Sequence, residues 1–224
     1  MNWINKPVSK RMWAMFKGRF GGGTSVVLAV LILFWGSPVG AKISPLEQVR
    51  TTVTGIIGVM QDKQMSRPDK KILRREKIMA YVTQRFDFEE MSKQTLATKW
   101  RELSPAQRKD FEGLFAELLK DTYIGRVEAY SDEEILFDKE VFDDAQAARA
   151  MVYTKVVKNN QEIPINYKLI AKNGEWFVYD VVIEGVSLIR NYRTEFARIL
   201  NQEQYAGLVK RLQEKIASRV SAKN

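Results

Sequence analysis

The sequence predicts an α+β fold in which helices gather on one face of a curved antiparallel sheet of about four strands. Three observations lead there. Apolar residues recur at helical spacing over 44–130, the period drops to two between 151 and 183, and the helical period returns over 187–220.

Leu46, Val49, Val53, Ile56, Ile57 and Met60 carry the first helix, and Ile72, Ile78, Met79 and Val82 carry a second beyond Pro68. Asp87, with Glu90 three residues later, reads as a capping box that opens a helix through Met91, Leu96 and Trp100. Ser104-Pro105-Ala106-Gln107 is a stronger start. The serine caps the free N–H groups, the proline sits where no N–H is needed, and the glutamine reaches back to the cap. The long helix behind it shows Phe111, Leu114, Phe115, Leu118, Leu119, Tyr123, Val127 and Tyr130 on one broad face.

The segments 151–157, 163–170 and 176–183 are rich in Val, Ile, Tyr and Phe, with Asn159-Asn160 and Asn173-Gly174 between them as hairpin turns. In the second segment Ile163, Ile165, Tyr167 and Leu169 share one face while Asn166 and Lys168 face water. The third is apolar on both sides, with Trp176, Val178 and Val182 opposite Phe177, Tyr179, Val181 and Ile183, which suits a central strand. Gly185 ends it. Ile189, Phe196, Ile199, Leu200, Leu208, Leu212 and Ile216 then carry two helices over 187–200 and 202–220. A curved sheet wrapped in this way makes a cone, and patterning alone leaves open whether side chains fill it or a cavity remains.

Composition narrows the chemistry. With no cysteine and no histidine in 224 residues, thiol nucleophiles, disulfides, imidazole catalysis and the usual zinc, copper and haem ligands drop out. Lys6, Lys10, Arg11, Lys17 and Arg19 precede an apolar run over 26–35, which is followed by Ser37-Pro38-Val39-Gly40-Ala41. Positive, apolar, then small residues make a secretory signal over 1–41, too short in its apolar part to span a bilayer, with cleavage expected after Ala41. The rest, 42–224, is one domain. Removing five cations from a net +9 leaves about +4. No Lys/Arg block interleaves with aromatics, so nucleic acid is not an expected partner.

Two segments carry a family resemblance. Phe86-Asp87-Phe88-Glu89-Glu90-Met91 runs on to Trp100, Ser104-Pro105-Ala106-Gln107 and Phe111, and 176–188 (WFVYDVVIEGVSL) continues to Asn191-Tyr192-Arg193. In these residues, and in their order over about 45–216, the chain resembles the Ttg/Mla auxiliary family, also called the toluene tolerance family. One departure is Ala97, where that family often has glycine after the leucine matched by Leu96.

The resemblance implies an NTF2-like cone with an internal apolar cavity that takes the acyl chains of a phospholipid, the head group staying at the mouth. It implies a periplasmic shuttle without catalytic residues or cofactors. It implies as partners an inner-membrane ABC transporter with its lipid-binding subunit and an outer-membrane lipoprotein complex. A hopanoid is an alternative cargo within the same family. A non-catalytic envelope adaptor with a filled cone is an alternative function.

The residues expected to line the cavity are Phe115, Leu119, Tyr123, Val152, Tyr167, Val178, Val182 and Ile189, although core and cavity wall draw on the same residue types. Arg190, Asn191 and Arg193 are expected at the mouth, facing a head group or a partner. Asp180 stands in an apolar strand, where an unpaired charge is costly. It reads either as a general base with a raised pKa or, preferably, as a structural carboxylate paired with Arg190 or Arg193 or capping nearby backbone.

Overall fold

A computed structural model describes residues 43–143 and 148–221, with side chains to 218. The expected export signal over 1–41 lies outside them. One five-stranded sheet, antiparallel throughout, follows chain order: β1 (Glu134–Phe142), β2 (Arg149–Lys158), β3 (Gln161–Lys172), β4 (Glu175–Ile183) and the short β5 (Val186–Ser187). The helices are α1 (Pro45–Gln61), α2 (Lys71–Arg85), α3 (Phe88–Leu96), α4 (Lys99–Glu102), α5 (Pro105–Glu128) and α6 (Leu188–Ser221). The architecture is the α+β arrangement expected, with β1 and β5 added to the three strands placed from sequence. Among the described residues no helix is long and apolar enough to cross a membrane.

Capping sets where the helices begin. The Gln107 N–H donates to Ser104 Oγ at 3.2 Å and the Ser104 N–H to Gln107 Oε1 at 2.9 Å, the reciprocal box that starts α5. At α3 only half a box forms. The Glu90 N–H donates to Asp87 Oδ1 at 3.0 Å, but the Glu90 carboxylate turns instead to Lys93, Gln94 and Arg149. The helix expected to run through Trp100 stops at Leu96, because Ala97 adopts φ 51° and ψ −121°, and α4 then carries Trp100 into the core. The break expected between 200 and 202 falls at Gln204 (φ 58°) inside α6.

Two bulges interrupt the ladder. Phe137 pairs with Thr154 and Lys139 with Tyr153, leaving Asp138 extra in β1; Lys168 pairs with Asp180 and Leu169 with Val178, leaving Tyr179 extra in β4. The second corrects a strict reading of alternation. Beyond Tyr179 the phase of β4 shifts by one, so Val181 and Ile183 join Val178 and Trp176 on the inner face, and Val182 pairs with Asn166 on the other.

Two apolar clusters result. Phe111, Phe115, Leu118, Tyr192, Phe196 and Leu208 pack α5 against α6, and α3 and α4 add Met91, Leu96 and Trp100. Val49, Ala150, Val152, Leu169, Trp176, Val178 and Val181 form the second, between α1 and the sheet. Phe86 packs against both; there the chain leaves α2 and meets the edge of β4, with the Asp87 N–H donating to the Val178 carbonyl at 2.8 Å.

Candidate functional site

The inner face of the sheet is only partly covered. Ile163, Ile165, Tyr167 and Leu169 of β3 alternate onto that face, joined by Val156 of β2, Ile135 of β1 and the four inward residues of β4. Opposite them stand Val49, Val53, Ile56, Ile57 and Met60 of α1, Ile78, Met79 and Val82 of α2, and Leu119, Tyr123, Ile124 and Val127 of α5. Together they bound a cavity of about 590 Å³, within the range of small-molecule sites.

The cavity has two distinct ends. Near the start of α1 the Leu46 N–H donates to Glu140 of β1 at 2.7 Å. Near the end of α1 Gln61 donates to Asp132 at 3.1 Å, beside Tyr130 and Glu133, which line the cavity there. Lys158 of β2 also lines this end and pairs with Glu133. That contact and the Ser131 N–H, at 2.6 Å, hold the Glu133 carboxyl down at about 2. Lys120 and Arg126 of α5 line the cavity while remaining exposed, and Arg126 lies 5.5 Å over the Tyr123 ring. With Glu133 paired to Lys158, these two add cations to the lining.

The lid over the sheet is fastened at the same end. Arg75 of α2 grips Glu128 of α5 with contacts of 2.7 and 3.0 Å, and Arg74 adds one at 3.2 Å. Burial raises the Glu128 carboxyl, but the hydrogen bonds and charges of Arg75 and Arg74 outweigh it and set the group below its ordinary range. Farther along the lid, α1 and α2 touch at Gly55. A Cβ there would stand 2.4 Å from the Tyr81 ring, so any larger residue would have to push that ring aside.

Of the residues expected at a cavity wall, Leu119, Tyr123, Tyr167 and Val178 line this one. Phe115 and Ile189 belong to the filled α5–α6 cluster, and Val152 is fully buried in the second cluster. Val182 is turned away by the bulge at Tyr179. Arg190, Asn191 and Arg193 do not line the cavity: Arg190 and Asn191 are exposed, and Arg193 donates to Gln94 at 2.6 and 3.0 Å.

Asp180 pairs with neither arginine. The same bulge places it across from Lys168 on the outer face, with the two charges 3.2 Å apart. Its carboxylate accepts from Ser187 Oγ at 2.6 Å and from the Ile189 N–H at 3.1 Å. The Ser187 hydroxyl in turn accepts from the Arg190 N–H at 3.0 Å. Asp180 therefore caps α6, as the structural alternative held, with Lys168 as its ionic partner. The α1 and α2 wall was missed as a wall. Its one signal was the width of the α1 stripe, where Ile56 and Ile57 sit side by side between Val53 and Met60.

Fold and cavity together define a single α+β domain holding an apolar chamber of ligand-binding size. A family model described as MlaC protein matches residues 50–214, and the chain belongs to that family. The toluene tolerance protein ttg2D of Pseudomonas putida is 28% identical over 159 residues, 69% of this chain and 72% of that protein. The intermembrane phospholipid transport system binding protein MlaC of Haemophilus influenzae is 26% identical over 146 residues, 62% of this chain and 65% of that one. Among solved structures, a phospholipid-binding protein from Ralstonia solanacearum, in complex with a phospholipid, aligns with a TM-score of 0.67. It is 22% identical and covers 77% of this chain and 97% of the other.

Proposed function

We propose that the protein is a periplasmic carrier that holds a phospholipid by its acyl chains and shuttles it between the outer and inner membranes. The observation that carries this reading is the apolar chamber edged by Lys120, Arg126 and the Lys158–Glu133 pair. Hydrocarbon finds wall on the sheet and on α1, α2 and α5, and an anionic head group finds cations in the lining. The names of the relatives support the cargo and its route, and so does the lipid in the Ralstonia protein.

The energetics fit a carrier without a catalytic group. At about 0.8 kcal/mol per CH₂, two chains with roughly thirty methylenes gain some 25 kcal/mol on leaving water. A bilayer offers the same gain, so exchange between membrane and chamber is nearly neutral and direction comes from the partners. Those partners are an inner-membrane ABC transporter, through its lipid-binding subunit, and an outer-membrane lipoprotein complex. Leu119, Tyr123, Tyr167 and Val178 contact the chains in this reading. The exposed Arg190 and Asn191, away from the chamber, are left to a partner surface. Residues 1–41 provide export.

Native mass spectrometry of the protein purified from the periplasm, followed by organic extraction, tests the proposal. A stoichiometric diacyl phospholipid is the expected adduct. A hopanoid would change the cargo. An empty protein that also takes no lipid from vesicles would return the function to an adaptor.

A further inference from the structure

The helical cover of the chamber has a weak line. Of the residues that line the cavity, Lys120, Arg126, Ala129 and Lys158 are exposed, and the first three lie on α5 or at its cap. They touch solvent and chamber at once, so the wall is thinnest along the stretch of α5 where Glu128 meets α2.

The helix across that line is loosely held. Of its 15 residues α2 buries only Ile78, whereas α3 buries five of nine. So few buried contacts place an element at the low end of local stability. Its end is anchored, since Arg85 pairs with Glu175 and Phe86 enters both apolar clusters. Ile78, Met79 and Val82 line the cavity, and the close packing of α2 is on α1, at Gly55. Toward α5 the start of the helix is held by charge, through Arg75 and Arg74 on Glu128.

That latch leaves a donor unused. Arg74 Nε is buried without a hydrogen-bond partner, so part of the gain from the ion pairs is offset by a group stripped of water. Apolar side chains would close this line at least as firmly. An ion pair differs in that its partners regain water when they separate, which makes the closure reversible.

We infer that the seam between α2 and α5 is the gate of the chamber and that the Glu128 latch holds it shut. With the latch broken, the start of α2 swings from α5 about its anchored end, and acyl chains pass between the two helices. The inference rests on the carrier reading and adds to it the route of the cargo.

The chain contains no cysteine, so a crosslink can be placed at the seam alone. Arg75→Cys and Glu128→Cys are combined in the mature protein, which is loaded with dioleoyl phosphatidylglycerol and then joined by a short bis-maleimide with a reducible linker. Exchange is started with vesicles of the same lipid carrying deuterated chains and followed by mass spectrometry of the protein-bound lipid. Before crosslinking, the double variant is expected to exchange about ten-fold faster than wild type, as for the loss of a charged hydrogen bond. Crosslinking should slow exchange well below the wild-type rate, and reduction should restore it. Glu128→Gln should also speed exchange, while Glu162→Gln, which removes the exposed pair with Lys155, should not. Equal amounts of bound lipid at equilibrium would show that all of these variants fold. Crosslinked protein that exchanges as fast as its reduced form would overturn the gate. Glu128→Gln exchanging at the wild-type rate would overturn the latch. Wild-type protein that holds no lipid would overturn the carrier reading and the inference with it.

Discussion

In the α5–α6 half, Phe111, Phe115, Tyr192 and Phe196 close on one another with ring centroids 5.2 to 6.0 Å apart, and three of the four are at most 1% exposed. In the sheet half, mostly aliphatic side chains on β3, β4 and α1 face one another across a cavity of about 590 Å³. Both halves are apolar; shape separates them. Flat rings interdigitate where helices cross, while across the cavity the branched side chains of the sheet stop short of those on the facing helices. A void is thus a property of spacing between elements rather than of hydrophobicity.

The largest effect should fall in the filled half. Phe115→Ala is expected to cost about 3–5 kcal/mol in chemical denaturation, whereas Ile165→Ala, at a wall that already faces a void, should cost about 1 kcal/mol or less. Equal costs would mean that the two halves are packed alike. Removing the charge that ties the halves together comes next. Asp180→Ala leaves Lys168 unpaired and the start of α6 uncapped, a loss of about 3 kcal/mol in the same measurement.

Filling the void reverses the pattern. Ile165→Trp should change stability by about 1 kcal/mol or less while abolishing lipid retention in vesicle loading. A smaller effect belongs to pH. The Glu133 carboxyl sits at about 2 when folded against its ordinary 4.5, so its contribution is fully present above 4.5 and is lost as pH falls toward 2. Acid titration followed by circular dichroism should show less loss of stability over that interval in Glu133→Gln than in wild type. The smallest is a gain. Ala97→Gly should add about 1 kcal/mol, since φ 51° with ψ −121° is a conformation glycine adopts freely and alanine does not.

How much of this was legible in the sequence depends on how local the cause is. The cap at Ser104 and the inward face of β3 are set within a few residues, and both stand where the sequence puts them. Strand β1 was not placed because Asp138-Lys139-Glu140 and the bulge within them break its alternation. Val182 was assigned to the wrong face for a related reason: alternation was carried through Tyr179 unchanged. Asp180 then seemed to point into the apolar chamber, and its partner was sought on α6 when it lies across the strand at Lys168. Phe115 and Tyr123 look alike on one helical stripe, and only the position of α6 makes the first a core residue and the second a wall. The Ala97 departure is where comparison of sequences and backbone geometry agree, the family's frequent glycine matching a conformation that favours it.

The extra residue at Tyr179 also bears on how the chain tolerates insertion and deletion. Deleting it would restore unbroken alternation, with every other residue of β4 keeping its partner and its face, since Leu169 already pairs with Val178 and Lys168 with Asp180. Ironing the bulge out with Tyr179 kept in the ladder would instead turn the remainder of the strand over, carrying Asp180 and Val182 into the chamber and Val181 and Ile183 out of it. Gaps in alignments of distant relatives should therefore be placed with the face of each β4 residue in view.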